Sequence, residues 1–190
     1  MANLIVVTGP PGAGKTTVAR ALSDIFEPSA LVAGDEFFAF IRRGYIAPWT
    51  GPAHRQNEIV VSAAAAAAGR LANGGYAVVY DGVIGPLFLE TFASATGLTS
   101  LHYAMLLPPE QLCMERVRDR VGHGFTDLDA ATHMYKEFAG ADVDRRHVVT
   151  STDDAAAIAS RLSQLIQEGS LGWPGPSLTL SAERSSCDES

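Results

Sequence analysis

Eight consecutive residues, Gly9-Pro10-Pro11-Gly12-Ala13-Gly14-Lys15-Thr16, have the types and spacing to hold a polyphosphate. They satisfy G-x-x-x-x-G-K-[ST], a loop whose glycines let backbone N–H groups wrap phosphate oxygens. The N-terminus of a following helix adds a positive end to the same cradle. Lys15 is expected to reach the β- and γ-phosphates, and Thr16 to offer its hydroxyl to Mg²⁺, with Thr17 completing the loop. The competing reading is a glycine-rich strand-to-helix turn with a solvated lysine. The apolar run before the motif and the helical run after it favour a nucleoside triphosphate, read here as ATP with Mg²⁺.

Two aspartates stand where a reaction partner for that phosphate belongs. Asp35 follows an apolar run and could take the proton of an attacking hydroxyl. Its ordinary alternative is the N-cap of a short helix over Glu36 to Arg43. Asp81 ends another apolar run. It could hold the Mg²⁺ shell, bind the acceptor, or simply form an Asp-Gly turn with Gly82. Arg116 and Arg120 lie four apart on one helix face and could close on phosphates, although the same spacing fits a solvated surface. Gly122-His123-Gly124 behind them would let a small lid near 116–128 hinge. Tyr45 and Trp49, flanked by Arg42, Arg43, His54 and Arg55, could form an acceptor site with stacking aromatics. Trp49 and Arg55 are its leading substrate-binding candidates beside Asp35 and Asp81.

Short apolar runs alternating with longer helical stretches must position these groups. Strands are expected over Leu4 to Thr8, Ala30 to Ala33, Tyr76 to Tyr80, Ser100 to Leu107 and His147 to Thr150. Helices are expected over Lys15 to Phe26, Ala53 to Asn73, Pro86 to Ala95 and Glu110 to Val121. Asp127 is expected to cap another helix ending at Phe138, and Ser151 or Thr152 to cap the last. The run Ala63 to Ala68 favours helix and close packing on a sheet. Such alternation implies an α/β fold with a parallel sheet covered on both faces. Ligands in such folds bind at the C-terminal strand ends. The loop, Asp35 and Asp81 each follow a strand and should therefore meet in one crevice. Residues 1–168 read as one domain, and 169–190, rich in Gly, Pro, Ser and charge, as a flexible tail.

Composition narrows the function classes. The 190 residues are 47% hydrophobic and 18% charged, with formal net charge −7. This acidic balance argues against nucleic acid as a partner. The two cysteines, Cys113 and Cys187, form no disulfide framework or metal spacing. Neither a signal peptide nor a membrane span is evident, so a cytoplasmic protein is expected.

The order of these elements is the P-loop, Gly34-Asp35, Gly51-Pro52 with Arg55, Val78-Val79-Tyr80-Asp81-Gly82-Val83, then Arg116 and Arg120. It resembles the chloramphenicol phosphotransferase-like branch of the P-loop kinases, within the adenylate-kinase-like class. Zeta-toxin-like and gluconate-kinase-like enzymes share the layout. The resemblance implies a three-layer α-β-α fold with a five-stranded parallel sheet in order 2-3-1-4-5. It also implies Asp35 as catalytic base, Arg116 and Arg120 as lid arginines, Asp81 near metal and acceptor, and Arg55 near the acceptor. The expected activity is phosphotransfer from ATP to a hydroxyl of a small metabolite or antibiotic, with a second copy of the chain, as a homodimer, the candidate protein partner. A regulatory NTPase acting through protein partners and a nucleic-acid end kinase are the rival functions.

Overall fold

The computed structural model describes residues 3–119 and 125–174. Its strands are β1 (Leu4–Thr8), β2 (Ser29–Ala33), β3 (Ala77–Asp81), β4 (Ser100–Leu106), β5 (Val148–Val149) and β6 (Gly172–Pro174). Its α-helices are α1 (Lys15–Ser23), α2 (His54–Asn73), α3 (Pro86–Thr96), α4 (Glu110–Arg118), α5 (Leu128–Ala139) and α6 (Ala155–Gln167). The parallel strands run β2-β3-β1-β4-β5, the expected order. β1 is buried along its whole length, as an apolar central strand between two helical layers should be.

Each face of the sheet has its own core. On one, Val61, Ala64, Ala65, Ala68 and Ala72 of α2 pack with Phe92 of α3 against Leu4, Val6, Val78 and Tyr80. The alanine run brings the helix close by presenting little bulk. Gly69 goes further, since a Cβ there would collide with the Thr96 carbonyl oxygen at the end of α3. On the opposite face, Val18 and Leu22 of α1 join Ile158 and Leu162 of α6 over Ile5, Val7 and Val79. No helix among the described residues is long and apolar enough to cross a membrane.

Three local expectations are corrected. The short helix after β2 is a 3-10 helix over Gly34–Phe40. Asp154, not Ser151 or Thr152, caps α6 by accepting from the Ala157 N–H at 2.8 Å. Gly172–Pro174, assigned from sequence to a tail, instead pairs antiparallel with β4, Leu101 facing Trp173. β5 occupies the later half of the same β4 edge, at Met105 and Leu106. Leu171 is fully buried, and Trp173 packs on Tyr103 and His147 at ring-centroid distances of 5.3 Å. Apolar burial thus outweighs the poor strand propensity of a Gly-Trp-Pro segment.

Candidate active site at the strand ends

The phosphate loop owes its shape to three glycines with positive φ. Gly9, Gly12 and Gly14 have φ of 145°, 83° and 93°. Side chains are also excluded by contact. A Cβ on Gly9 would strike the Leu106 carbonyl oxygen, and one on Gly12 the Cys113 carbonyl oxygen. The end of β4 and the body of α4 therefore press the loop into its curve. Lys15 is buried and donates from Nζ to the Pro10 carbonyl at 3.2 Å, across the loop's own concavity. Arg116 donates from Nη1 to the Gly12 carbonyl at 3.2 Å, which sets its guanidinium beside the loop. This cradle, its lysine and a neighbouring arginine fit a nucleotide polyphosphate.

The neighbouring strand ends bring the two aspartates to it. In register, Val7 of β1 and Ala33 of β2 both face Asp81 of β3. Asp81 is buried, and burial raises its carboxyl above the ordinary carboxylate range. A hydrogen bond from Thr16, the Lys15 ammonium and Arg20 oppose that rise, whereas nearby Asp35 adds to it. Thr16 and Asp81 thus form a pair that can hold a Mg²⁺ shell beside bound phosphates. Asp35 does not cap the helix that begins there. Its Oδ1 accepts from the Val83 N–H at 3.2 Å across the crevice.

Two residues that sequence reasoning missed hold these aspartates in place. Thr8 Oγ1 donates to the Ile84 carbonyl at 3.1 Å and accepts from the Ile84 N–H at 2.9 Å, tying the P-loop entry to the segment after β3. Tyr80 is buried with its ring edge-on to Phe92, and its hydroxyl occupies the space a Cβ on Gly34 would need. Burial pushes the Tyr80 phenol far up, with Asp35 and then Asp81 adding to the shift. The only advance signal was a tyrosine immediately before Asp81.

From Lys15 and Asp35 a cavity of about 810 Å³ opens away from the loop. Trp49, Tyr45 and Phe38 line it, as do Phe88 after β3 and Phe125, Met134 and Phe138 around α5. Trp49 meets Phe125 edge-on at 4.8 Å. The loop carrying Trp49 is pinned by Gln56, which bonds both the N–H and the carbonyl of Ile46, and by Asn57, which donates to the Pro48 carbonyl at 2.7 Å. Arg55, expected near the acceptor, is exposed and absent from the cavity wall. Helix phase is the reason. His54, Asn57 and Val61 share the inward face, and Arg55 lies about 100° round from His54. Asp81 lies on the Thr16 side and is likewise absent from the cavity wall. Arg120 and the centre of the expected lid fall outside the described residues. Arg146 lies away from the crevice and serves the β6 seam, contacting Asp144, His147 and the Gly172 carbonyl.

A family model described as an AAA domain matches residues 5–130, which contain the loop, both aspartates and Arg116. The chain belongs to that AAA domain family. No curated protein matches the sequence significantly. Several solved structures share the fold at low identity. The tunicamycin resistance protein of Deinococcus radiodurans superposes with a TM-score of 0.66 at 18% identity, over 86% of this chain and 94% of that one. A sugar kinase from Janibacter sp. gives 0.65 at 17% identity, over 86% and 94%. A gluconokinase from Sinorhizobium meliloti 1021 gives 0.60 at 20% identity, over 86% and 93%. These neighbours share the chain's α/β architecture, and the likeness extends over nearly the whole of each of them.

Proposed function

We propose that the protein is an ATP- and Mg²⁺-dependent phosphotransferase that moves the γ-phosphoryl group to a hydroxyl of a small metabolite or antibiotic. The observation that carries this reading is the continuity of one cavity. Its lining runs from Pro11 and Lys15 of the phosphate loop, past Asp35, to the aromatic wall at Trp49 and Phe125. A regulatory NTPase has no need of a second, aromatic-lined site beside its phosphate loop. The kinases among the structural neighbours agree with this reading, and the sequence order supports a place in the chloramphenicol phosphotransferase-like branch. A cytoplasmic setting belongs to the same reading.

In this reading the loop amides and Lys15 hold the phosphate chain, and Arg116 neutralises charge as it spreads over the transferring group. Bound Mg²⁺, held on the Thr16–Asp81 side, would polarise the phosphates. Asp35 accepts the proton of the acceptor hydroxyl. As the acceptor oxygen bonds the γ-phosphorus, the bond to the β–γ bridging oxygen breaks and its electron pair leaves with ADP. The aromatic wall orients the acceptor and keeps bulk water from competing for the phosphoryl group.

The test begins with γ-labelled ATP and a panel of hydroxyl-bearing metabolites and antibiotics, with Lys15→Ala as blank. Asp35→Asn should bind MgATP as tightly as the parent by calorimetry, yet transfer about 10²- to 10⁴-fold more slowly to the acceptor so found. Wild-type transfer by that variant removes Asp35 from the role of base. Acceptor-independent hydrolysis alone, across the whole panel, removes the kinase reading.

A further inference from the structure

The charges around the acceptor cavity say more about its occupant than its size does. Its described lining carries three carboxylates, Asp35, Glu36 and Glu137, against a single lysine, Lys15. That lysine faces the phosphate loop, so bound nucleotide would neutralise it and leave the rest of the described lining acidic. The imidazoles of His54 and His133 also line the space, each beside a glutamate one turn on, Glu58 at 3.4 Å and Glu137 at 3.6 Å. Asn57 lines it too, its Nδ2 donating to the Pro48 carbonyl at 2.7 Å and so steadying the loop that carries Trp49. Tyr45 and Trp49 are half-exposed where they line the same space, and aromatic faces attract cations as well as rings.

From these groups we infer that the acceptor is an amino alcohol: a ring-bearing molecule whose hydroxyl meets Asp35 and whose protonated amine faces Glu36 and Glu137. This rests on the kinase reading above and narrows it. An acceptor bearing a carboxylate, as gluconate and shikimate do, would bring a second negative charge among carboxylates and beside ATP. Like charges brought together oppose binding, and because all three carboxylates are exposed the repulsion is one that salt screens. An ammonium gains from the same field, donates N–H groups to oxygens that only accept, and sits favourably against Trp49.

Three probes of one skeleton separate the possibilities: 2-amino-1-phenylethanol, 1-phenyl-1,2-ethanediol and mandelate. They share ring and hydroxyl and differ in carrying an ammonium, a second hydroxyl or a carboxylate. Calorimetric titration into the full chain, saturated with a non-hydrolysable ATP analogue and Mg²⁺, should give affinities in that order. The amine should exceed mandelate by about tenfold or more at low salt, with the gap closing as salt rises. The Glu36→Gln/Glu137→Gln variant, checked for unchanged thermal unfolding, should lose most of that preference. If the variant unfolds, Glu137→Gln alone should reduce it. Mandelate or the diol binding as tightly as the amine overturns the inference, as does an unchanged preference in a folded variant or no binding by any of the three. Transfer of label, followed in parallel, keeps the two readings apart. Amine-selective binding without transfer would refute the kinase and spare the charge inference. Transfer to gluconate or shikimate with no amine preference would do the reverse.

Discussion

The donor and acceptor ends of the crevice are built on opposite plans. The donor end is nearly contiguous: Gly9 to Thr17 form the cradle, and other segments press it into shape through Leu106, Cys113 and Arg116. The acceptor end gathers residues from the 3-10 turn after β2, the Trp49 loop, α2, the segment after β3, and α5. A contiguous cradle depends on backbone conformation, so its chemistry is common to every chain that can make the loop. An assembled wall depends on side chains that can change one at a time. The structure thus sets a cradle fixed by backbone conformation beside a wall assembled from side chains, within one cavity.

Substitutions at the two ends should therefore fail in different ways. Gly12→Ala attacks the cradle. It places a Cβ at φ 83° and against the Cys113 carbonyl oxygen, so nucleotide binding should vanish and stability fall by about 1–3 kcal/mol. Calorimetry with MgATP and thermal unfolding measure both. Normal MgATP affinity in this variant would mean that α4 does not shape the loop. Arg116→Ala should leave the cradle standing and lower kcat by about 10²-fold, with a smaller change in nucleotide affinity. A fall in affinity alone would make Arg116 a ground-state binder. Trp49→Ala should raise the acceptor KM by about tenfold while the ATP KM stays unchanged. Equal shifts in both constants would erase the distinction between the ends.

The smallest effect is expected at the β6 seam, remote from both. Burial lowers the pKa of His147 from its ordinary 6.5, helped by Arg146 and opposed by its hydrogen bond to the Tyr103 carbonyl and by Asp144. The unfolded chain then holds a proton that the folded one gives up. Stability from this group is present above pH 6.5 and declines as pH falls through that value toward the lower folded one. Denaturant unfolding at pH 7.5 and 5.5 should show the loss, and His147→Gln should flatten it. A variant with an undiminished slope would assign the pH dependence to other groups.

The same contrast explains what was legible in the sequence. The loop could be read because its residues are consecutive and its glycines have a backbone reason. Asp35 and Asp81 could be placed because strand alternation locates strand ends, and the ends of neighbouring parallel strands converge. Arg55 and His54 both flank the Trp49 loop in sequence, but successive helical residues point about 100° apart, so only His54 lines the cavity. The wall from α5 was not legible as a site. Met134 and Phe138, four apart on α5, read as an ordinary apolar helix face, and Glu137 beside them as a surface charge. Nothing local reveals that this face closes over the crevice.

β6 has a consequence for how the molecule meets its own copies. β4 shows one edge to β1 and shares the other between β5 and β6. Stripped of Gly172–Pro174, the stretch from Ser100 to Tyr103 would offer unpaired backbone groups beside the apolar faces of Leu101 and Tyr103. Such an edge is a template for a strand from another molecule. Three residues near the end of the described chain thus act as a selvedge, keeping the sheet from being sewn to its neighbour. Ending the chain at Glu168 should raise its tendency to associate through that seam, seen as a higher mass in light scattering than the full chain gives at equal concentration.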